Sequence, residues 1–139
     1  MRAVEVIVQV DAPVDRIWEV LADFGGFLKW AGGPDDTIGM EGDGIGMIRH
    51  LSMGVGEIAE KLTELDTDQK ILGYELEYGE PIGMKEYRAQ VQVKSVGDKC
   101  ELYLLLAFQP VDPREEDQVA ATLDATYRGM SQTLAEYVR

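Results

Sequence analysis

Two charged residues near the middle of the chain lie within segments that read as β-strands. Arg49 lies in GMIRHLSM (46–53), and Glu60 lies in the following segment GEIAEKLTEL (56–65). If both faced the interior from neighbouring strands, they would be buried charges in need of partners. Such a pair suits a polar contact inside an apolar pocket, acid/base chemistry that enolises a carbonyl substrate, or a structural salt bridge.

Four tyrosines offer hydroxyl groups that a small molecule could bind. Tyr74, Tyr78 and Tyr87 lie in strand-like segments, and Tyr127 lies in a C-terminal segment with helical spacing. A tyrosine can also be a core ring whose oxygen reaches the surface, so both interpretations stay open. The abundant methionines, Met130 among them, suit irregular or adaptable packing.

Other kinds of site lack the residues they need. His50 is the only histidine, and no Cys/His/Asp cluster at metal-ligand spacing accompanies it. No serine has this histidine beside it on the inferred inner face, which argues against a hydrolase triad. GDGIG (42–46) lacks the full glycine fingerprint of a nucleotide loop and precedes a strand. We therefore expect no metal and no cofactor.

The composition restricts partners and compartment. The formal net charge of −13 over 139 residues repels phosphate backbones and anionic membrane surfaces. No apolar run approaches the roughly 20 residues that span a bilayer, and the N-terminus does not resemble a signal peptide. The single cysteine, Cys100, allows no internal disulfide and is expected to be an inert thiol with outward or edge parity. These features favour a cytoplasmic protein that neither binds nucleic acid nor inserts into membranes.

The first forty residues predict a strand followed by two short helices. Apolar residues alternate in AVEVIVQV (3–10), and a helical stripe follows Pro13. DFGGFLKWAGG (23–33) combines four glycines with clustered aromatic residues. We interpret it as a second short helix set against the open end of a cavity, with Trp30 at the cavity mouth. Its predicted buried stripe consists of Phe24, Phe27, Leu28 and Ala31.

From about residue 36 the period of the hydrophobic pattern changes to two. The segments 46–53, 56–65, 70–80, 84–96 and 99–110 are predicted strands, the last apolar on both faces. Alternation places Tyr74, Leu76 and Tyr78 on one face of their strand. A long helix begins near Pro113, and its stripe is interrupted by Gly129, where we expect a close backbone or ligand approach. The stripe consists of Val119, Leu123, Thr126, Tyr127, Met130, Leu134 and Val138.

This order of elements predicts one α+β domain over residues 1–139. Hairpin-connected strands form a single antiparallel sheet, and the long helix is the obvious cover for its apolar face. A curved seven-stranded sheet around one helix leaves a gap between them, which is a natural ligand cavity.

Several segments resemble the helix-grip (SRPBCC, START-like) superfamily over roughly residues 3–138. They are APVDRIWEVLADFGGFLKW (12–30), GDGIGMIRHL (42–51), EKLTELD (60–66) and GYELEYGEPIGMKEYRAQVQV (73–93). The chain is most similar to the bacterial polyketide cyclase/dehydrase branch. The superfamily also includes START lipid-transfer domains, birch-pollen-allergen-like proteins and plant abscisic acid receptors. The resemblance implies the helix-grip (Bet v 1-like) fold with an internal hydrophobic cavity.

The resemblance and the strand alternation together nominate cavity residues. Matching the family strands places Arg49 and Glu60 inside and His50 outside. The positions of Glu60 and Tyr87 match those that carry polar ligand contacts in the abscisic acid receptors, and Arg49, Glu60 and Tyr87 are the catalytic candidates if the protein is an enzyme. The candidate ligand-binding set is Trp30, Arg49, Leu51, Met53, Glu60, Tyr74, Leu76, Tyr87, Ala89, Phe108, Tyr127 and Met130.

The chain also departs from its relatives. The receptor gate and latch motifs are replaced here by SMGVG (52–56) and IGM (82–84), and Lys29 does not match their ligand-carboxylate lysine, which argues against abscisic acid sensing. The bacterial branch often has Trp-His-Pro where this chain has Trp30-Ala31-Gly32. The resemblance therefore does not carry over a role that depends on that histidine.

Three functions follow as hypotheses. The first is binding of a small hydrophobic or aromatic, lipid- or polyketide-like molecule. The second is a cyclase or dehydratase in which Arg49 stabilises an enolate and Glu60 or Tyr87 moves the proton. The third is a dimeric interaction module that uses Tyr103 and Leu105 on the outer face of the last strand.

Overall fold

The computed structural model describes residues 1–54 and 56–139, and seven strands form its antiparallel sheet. The strand order is β1-β7-β6-β5-β4-β3-β2, so the first strand pairs with the last. The strands are β1 Arg2–Val10, β2 Thr37–Glu41, β3 Ile48–Met53, β4 Gly56–Asp66, β5 Ile71–Tyr78, β6 Met84–Val96 and β7 Lys99–Pro110. The sheet curves around the long C-terminal helix, which confirms the predicted helix-grip architecture.

Three α-helices complete the fold of the described residues. Two short helices, α1 (Val14–Ala22) and α2 (Leu28–Ala31), follow β1, and α3 (Glu116–Val138) ends the chain. Single 3₁₀ turns lie at 24–26, 81–83 and 113–115. The guanidinium of Arg2 joins the start of β1 to the start of α3, because its Nη1 lies 3.1 Å from Glu116 and 2.8 Å from Asp117.

Strand alternation determines which residues form the core. Along β7 the even-numbered side chains from Cys100 to Phe108 are buried, and they face the predicted stripe of α3. Five members of that stripe are buried: Val119, Leu123, Tyr127, Leu134 and Val138. The core therefore lies between the inner face of the sheet and α3, closed at one end by α1 and α2.

The segment between α1 and β2 is less regular than the predicted second helix. It consists of a 3₁₀ turn at 24–26 followed by the single helical turn of α2. Phe24 is buried, whereas Phe27, Leu28 and Ala31 are only half-buried. A one-turn helix with no fully buried residue depends on few contacts for its position.

Tyr78 lies on the outer face of the sheet, contrary to the strict alternation predicted for β5. Its side chain is 66% exposed. The cause is a β-bulge: Ala59 pairs with Tyr78 but Glu60 pairs with Leu76, which leaves Glu77 as an extra residue on β5. One inserted residue reverses the face of every side chain beyond it.

The outward or edge direction expected for Cys100 and the close backbone approach expected at Gly129 are wrong. Cys100 has inward parity, pairs with Val10 and is fully buried, and this burial raises the pKa of its thiol to about 11. Gly129 has no close neighbour: a Cβ built on it would meet nothing within 4 Å among the described residues, and the position is exposed. The glycine therefore serves no packing purpose that this structure shows.

Candidate functional site

A small cavity lies between the sheet and α3, and three parts of the chain form its wall. The sheet contributes Arg49, Leu72, Tyr74, Val91, Leu102 and Leu104. The C-terminal half of α3 contributes Tyr127, Met130, Ser131 and Leu134. The remaining wall comes from the α1–α2 segment with Leu21, Asp23, Phe27 and Trp30. The wall is predominantly apolar, as in most sites for small molecules.

The cavity is small. Its volume is about 40 Å³, which is room for a few water molecules at most. Pockets that hold drug-sized ligands typically enclose roughly 300–1,000 Å³. A ligand of polyketide size would therefore have to displace part of the wall.

Arg49 and Glu60 meet in the interior. They are direct partners in the pairing of β3 with β4. The Nε of Arg49 donates to Oε1 of Glu60 at 2.8 Å, its Nη2 lies 2.7 Å from the same oxygen, and each side chain is 6% exposed. Low exposure weakens solvent screening, so each charge depends on the other for compensation.

Aromatic rings enclose the guanidinium of Arg49. Its Cζ atom lies 4.0 Å from the ring centre of Phe24, 4.4 Å from that of Phe27 and 5.0 Å from that of Tyr74. Its Nη1 also donates to the backbone carbonyl oxygen of Phe24 at 3.2 Å. Cation–π contacts of this kind are stabilising, most of all away from water. Arg49 thus fastens the segment between α1 and β2 to the sheet.

Two tyrosine hydroxyls bridge the sheet and α3. The Oη atoms of Tyr74 on β5 and Tyr127 on α3 lie 2.6 Å apart, and both residues are buried. Beside them, the Ser131 hydroxyl donates to the backbone carbonyl oxygen of Tyr127 at 2.8 Å. Tyr87 packs edge-on against Tyr74, with their ring centres 6.2 Å apart.

Both bridging tyrosines keep their protons over a wide pH range. Burial raises the pKa of Tyr74 to about 12 and raises the pKa of Tyr127 well above its ordinary value. The carboxylate of Glu60 raises both pKa values further, whereas the charge of Arg49 opposes the increase. At neutral pH the pair therefore consists of two neutral hydroxyls that can donate hydrogen bonds.

The comparison with protein families agrees with this architecture. The model of the family described as polyketide cyclase / dehydrase and lipid transport matches residues 1–139. The chain belongs to this family. The predicted resemblance to the helix-grip superfamily and its polyketide cyclase/dehydrase branch is thereby confirmed.

Solved structures share the fold of this polyketide cyclase/dehydrase family member at low sequence identity. Norcoclaurine synthase from Thalictrum flavum is 19% identical with a TM-score of 0.78, and the match covers 99% of this chain and 86% of that one. The protein Ara h 8.0201 is 13% identical with a TM-score of 0.81 over 99% and 97% of the two chains. A protein from Nitrosospira multiformis is 20% identical with a TM-score of 0.77 over 99% and 97%. No curated protein matches the sequence.

Five of the twelve predicted ligand-binding residues line the cavity of this family member. They are Trp30, Arg49, Tyr74, Tyr127 and Met130. Trp30 is half-buried and packs edge-on against Phe27, with ring centres 5.3 Å apart, so it lies at the cavity wall rather than in open solvent. Whether any of these residues contacts a ligand stays a prediction.

The other seven predicted ligand-binding residues lie off the cavity wall. They are Leu51, Met53, Glu60, Leu76, Tyr87, Ala89 and Phe108. The cavity occupies only one end of the space between sheet and helix, because side chains such as Met84, Phe108 and Leu123 fill the other end. Of the three catalytic candidates, only Arg49 is part of the wall. A ligand could contact Glu60 or Tyr87 only if the cavity were larger.

Several wall residues were absent from the predicted set. Ser131 is one turn of α3 beyond Tyr127, so helical spacing alone would have placed it on the same face. Leu72 and Leu104 follow from strand alternation, which had predicted buried faces without indicating which part of each face borders a cavity. The position of a cavity depends on side-chain volumes across the whole core, which alternation does not report.

Two absences apply to residues 1–54 and 56–139. No group of three or more histidine, cysteine, aspartate or glutamate side chains there is arranged to hold a metal ion. None of the helices in this part of the chain has the length and apolarity needed to cross a membrane. The cytoplasmic location stays a prediction.

Proposed function

We propose that this protein binds a small hydrophobic or aromatic molecule, of lipid- or polyketide-like type, in the cavity between the sheet and α3. The observation that carries the proposal is the composition of the cavity wall. Apolar side chains cover most of it, and the inner polar groups are concentrated at Arg49, Tyr74 and Tyr127. Sites for small molecules combine these two properties, because apolar area provides affinity and a few polar groups provide orientation.

The ligand would enter by displacing the wall formed by the α1–α2 segment. That segment is the least regular part of the enclosure, and α2 contains no fully buried residue. Met130 on the opposite side is half-buried and has a flexible side chain that can repack around different shapes. Expansion of the cavity would thus involve side chains and a one-turn helix rather than the sheet.

The relatives support this proposal by their descriptions. The family description includes lipid transport. The norcoclaurine synthase from Thalictrum flavum was solved in complex with dopamine and hydroxybenzaldehyde, which are small aromatic molecules. A shared fold with low identity supports a cavity of the same general kind and does not identify the ligand.

Native mass spectrometry of the gently purified protein tests the proposal. We expect an additional mass that is released by organic solvent, or the capture of compounds from a panel of fatty acids, aromatic polyketides and small aromatic ketones. The absence of both a co-purified molecule and any binding across the panel would overturn the proposal.

Tryptophan fluorescence locates the binding event. Trp30 lines the cavity, whereas Trp18 is buried away from its wall, so the variant Trp18→Phe leaves Trp30 as the only reporter. Ligand binding should change the emission of Trp18→Phe strongly and that of Trp30→Phe weakly. Equal responses from the two variants would place the ligand elsewhere.

The enzymatic alternative is weaker on geometric grounds. Glu60 and Tyr87 lie off the cavity wall, and both nitrogen contacts from Arg49 fall on one oxygen of Glu60. A proton-transfer group must reach the substrate atom that it serves. If the protein nevertheless turns over a polyketide-like carbonyl compound, Glu60→Gln tests the acid/base role, and unchanged turnover would contradict it.

Self-association is a second candidate function, favoured by one observation on the outer face. Ile7 and Leu105 lie on neighbouring strands and are 41% and 43% exposed, and the half-buried Tyr103 pairs with Ile7. Light scattering coupled to gel filtration distinguishes dimer from monomer. If a dimer forms through this face, Leu105→Gln should dissociate it, and a monomer at high concentration would contradict this candidate.

A further inference from the structure

The tyrosine pair in the cavity wall has one hydroxyl proton without an acceptor. A hydroxyl carries a single proton, so in the contact between Tyr74 and Tyr127 one Oη donates and the other accepts. The proton of the accepting hydroxyl remains free, because neither Oη makes a second hydrogen bond within residues 1–54 and 56–139. A buried donor of this kind is costly to leave unpaired.

Arg49 adds further donors to the same end of the cavity. A guanidinium has five N–H groups and accepts no hydrogen bonds. Three of its nitrogens already have contacts, with Glu60 through Nε and Nη2 and with the Phe24 carbonyl through Nη1. Each terminal nitrogen carries a second N–H group, and Arg49 belongs to the cavity wall.

Acceptors are scarce at this end. The hydroxyl of Ser131 offers lone pairs, although its proton is directed to Tyr127. Asp23 is the one side chain in the described wall that only accepts hydrogen bonds, but it is 53% exposed and pairs with Lys29 at 3.3 Å. The buried polar end of the cavity is therefore complementary to a ligand atom that accepts hydrogen bonds.

The charge balance decides between a neutral and an anionic acceptor. The positive charge of Arg49 is compensated by Glu60 at 2.7 Å, so this end of the cavity carries no net charge from the pair. The protein as a whole carries a formal charge of −13. A carboxylate would lose its hydration on entry without gaining an uncompensated cation. A neutral ketone or aldehyde loses much less hydration free energy when it enters.

Resting on the function proposed above, we propose that the ligand is a neutral aromatic ketone or aldehyde whose carbonyl oxygen accepts a hydrogen bond from the Tyr74–Tyr127 pair. The aromatic part of the ligand would occupy the apolar wall near Leu104 and Met130. Before the ligand enters, a water molecule can accept the same proton, since the cavity of about 40 Å³ has room for it.

Pairs of isosteric ligands test whether the carbonyl oxygen contributes to binding. Acetophenone and α-methylstyrene differ only in the exchange of C=O for C=CH₂, as do 2-acetylnaphthalene and 2-isopropenylnaphthalene in a larger pair. Benzoate provides the anionic counterpart. Titration calorimetry should give the ketone of at least one pair about tenfold higher affinity than its alkene, with benzoate binding more weakly than acetophenone.

Tyrosine variants test whether the preference for the ketone depends on the Tyr74–Tyr127 pair. Tyr127→Phe should keep the preference for the ketone, because it frees the proton of Tyr74. The double change Tyr74→Phe with Tyr127→Phe should remove it, whereas the exposed control Tyr78→Phe should leave it unchanged. If the double variant does not fold, the ¹³C resonance of carbonyl-labelled acetophenone reports on the native protein, and a downfield shift on binding indicates the expected hydrogen bond.

The possible results separate this inference from the proposed function. Equal binding of ketone and alkene would leave cavity binding intact and overturn the carbonyl preference, as would an unshifted carbonyl resonance. If benzoate binds more tightly than acetophenone, the ligand class is anionic and the proposal of a neutral ligand is wrong. If no member of either pair binds although a fatty acid or polyketide of the panel does, the ligand class is wrong and the cavity function stands.

Discussion

Arg49 and Glu60 face each other across β3 and β4 and form an ion pair at 2.7–2.8 Å with almost no exposure to solvent. Three aromatic rings enclose the guanidinium of Arg49. Removal of one partner would leave the other as an uncompensated buried charge. The following predictions start from this pair and proceed outward through the core.

Glu60→Gln should destabilise the protein strongly. Loss of one partner of a buried ion pair typically costs about 3–5 kcal/mol of the free energy of unfolding. Replacement of both residues by apolar ones, Arg49→Met with Glu60→Leu, should cost less than Glu60→Gln alone, because no charge is left behind. Urea unfolding followed by circular dichroism measures the differences.

The matched control for this change is Glu77→Gln. Glu77 pairs with Lys61 at 3.3 Å, but both side chains are more than one third exposed. Exposed pairs contribute roughly 0–1 kcal/mol. A loss of stability in Glu60→Gln no larger than that in Glu77→Gln would show that the buried pair contributes little to stability.

Stability should fall in alkaline solution. Folding raises the pKa of Tyr74 from 10.0 to about 12, so its contribution is complete below pH 10 and is lost as the pH rises through about 12. The buried thiol of Cys100 contributes in the same sense between pH 9 and about 11. Within these pH ranges the unfolded state releases protons that the folded state retains.

Urea midpoints measured between pH 8 and pH 12 check this prediction. Tyr74→Phe should flatten the later part of the decline, and Cys100→Ala should flatten the earlier part. A midpoint that stays constant across this range, or a decline that both variants reproduce unchanged, would contradict it.

Gly129→Ala should stabilise the protein. The residue lies inside α3, is exposed, and has open space where a Cβ atom would stand. Alanine in place of a mid-helix glycine stabilises by about 0.5–1 kcal/mol, because the unfolded chain loses conformational freedom. Thermal unfolding should show a corresponding rise in Tm.

Gly79→Ala is the opposite control. Its φ angle is +102°, and a Cβ atom there would lie 2.6 Å from the backbone oxygen of Glu57. We expect a lower Tm for this variant. A destabilising effect of Gly129→Ala would mean that the glycine has a role which the folded chain by itself does not show.

Leu104→Ala should enlarge the cavity and improve binding of bulky ligands. Leu104 is 3% exposed and belongs to the cavity wall. Loss of a buried leucine side chain costs about 2–5 kcal/mol of stability, and the space that it leaves adds to the existing cavity. Titrations with the naphthalene ligands should show a larger gain in affinity than titrations with acetophenone.

Leu62→Ala controls for the loss of stability alone. Leu62 is fully buried but lies off the cavity wall. This variant should lose comparable stability and keep the ligand affinities of the unmodified protein. If Leu62→Ala improves binding as much as Leu104→Ala, general loosening of the core, rather than space at the cavity, controls binding.

The local hydrophobic pattern of the sequence was enough to predict most of the fold. The alternation along β1 and the helical stripe of α3 predicted buried faces that the structure contains, because side-chain direction follows directly from backbone period. The order of elements and the resemblance to known families then selected one arrangement of sheet and helix. Arg49 and Glu60 were predicted to face inward, and the register of β3 with β4 brings them together.

The tertiary structure decided what alternation does not encode. One inserted residue at Glu77 turned Tyr78 to the outer face, and no feature of the local pattern marks such a bulge. Tyr74 and Tyr127 are 53 residues apart, and their contact exists only because α3 packs against the inner face of the sheet. The size and place of the cavity depend on how all core side chains fill the space between sheet and helix, which is a property of packing in three dimensions. The sequence by itself therefore determined the architecture and the identity of the buried polar groups, and the packed structure determined which of them border the cavity.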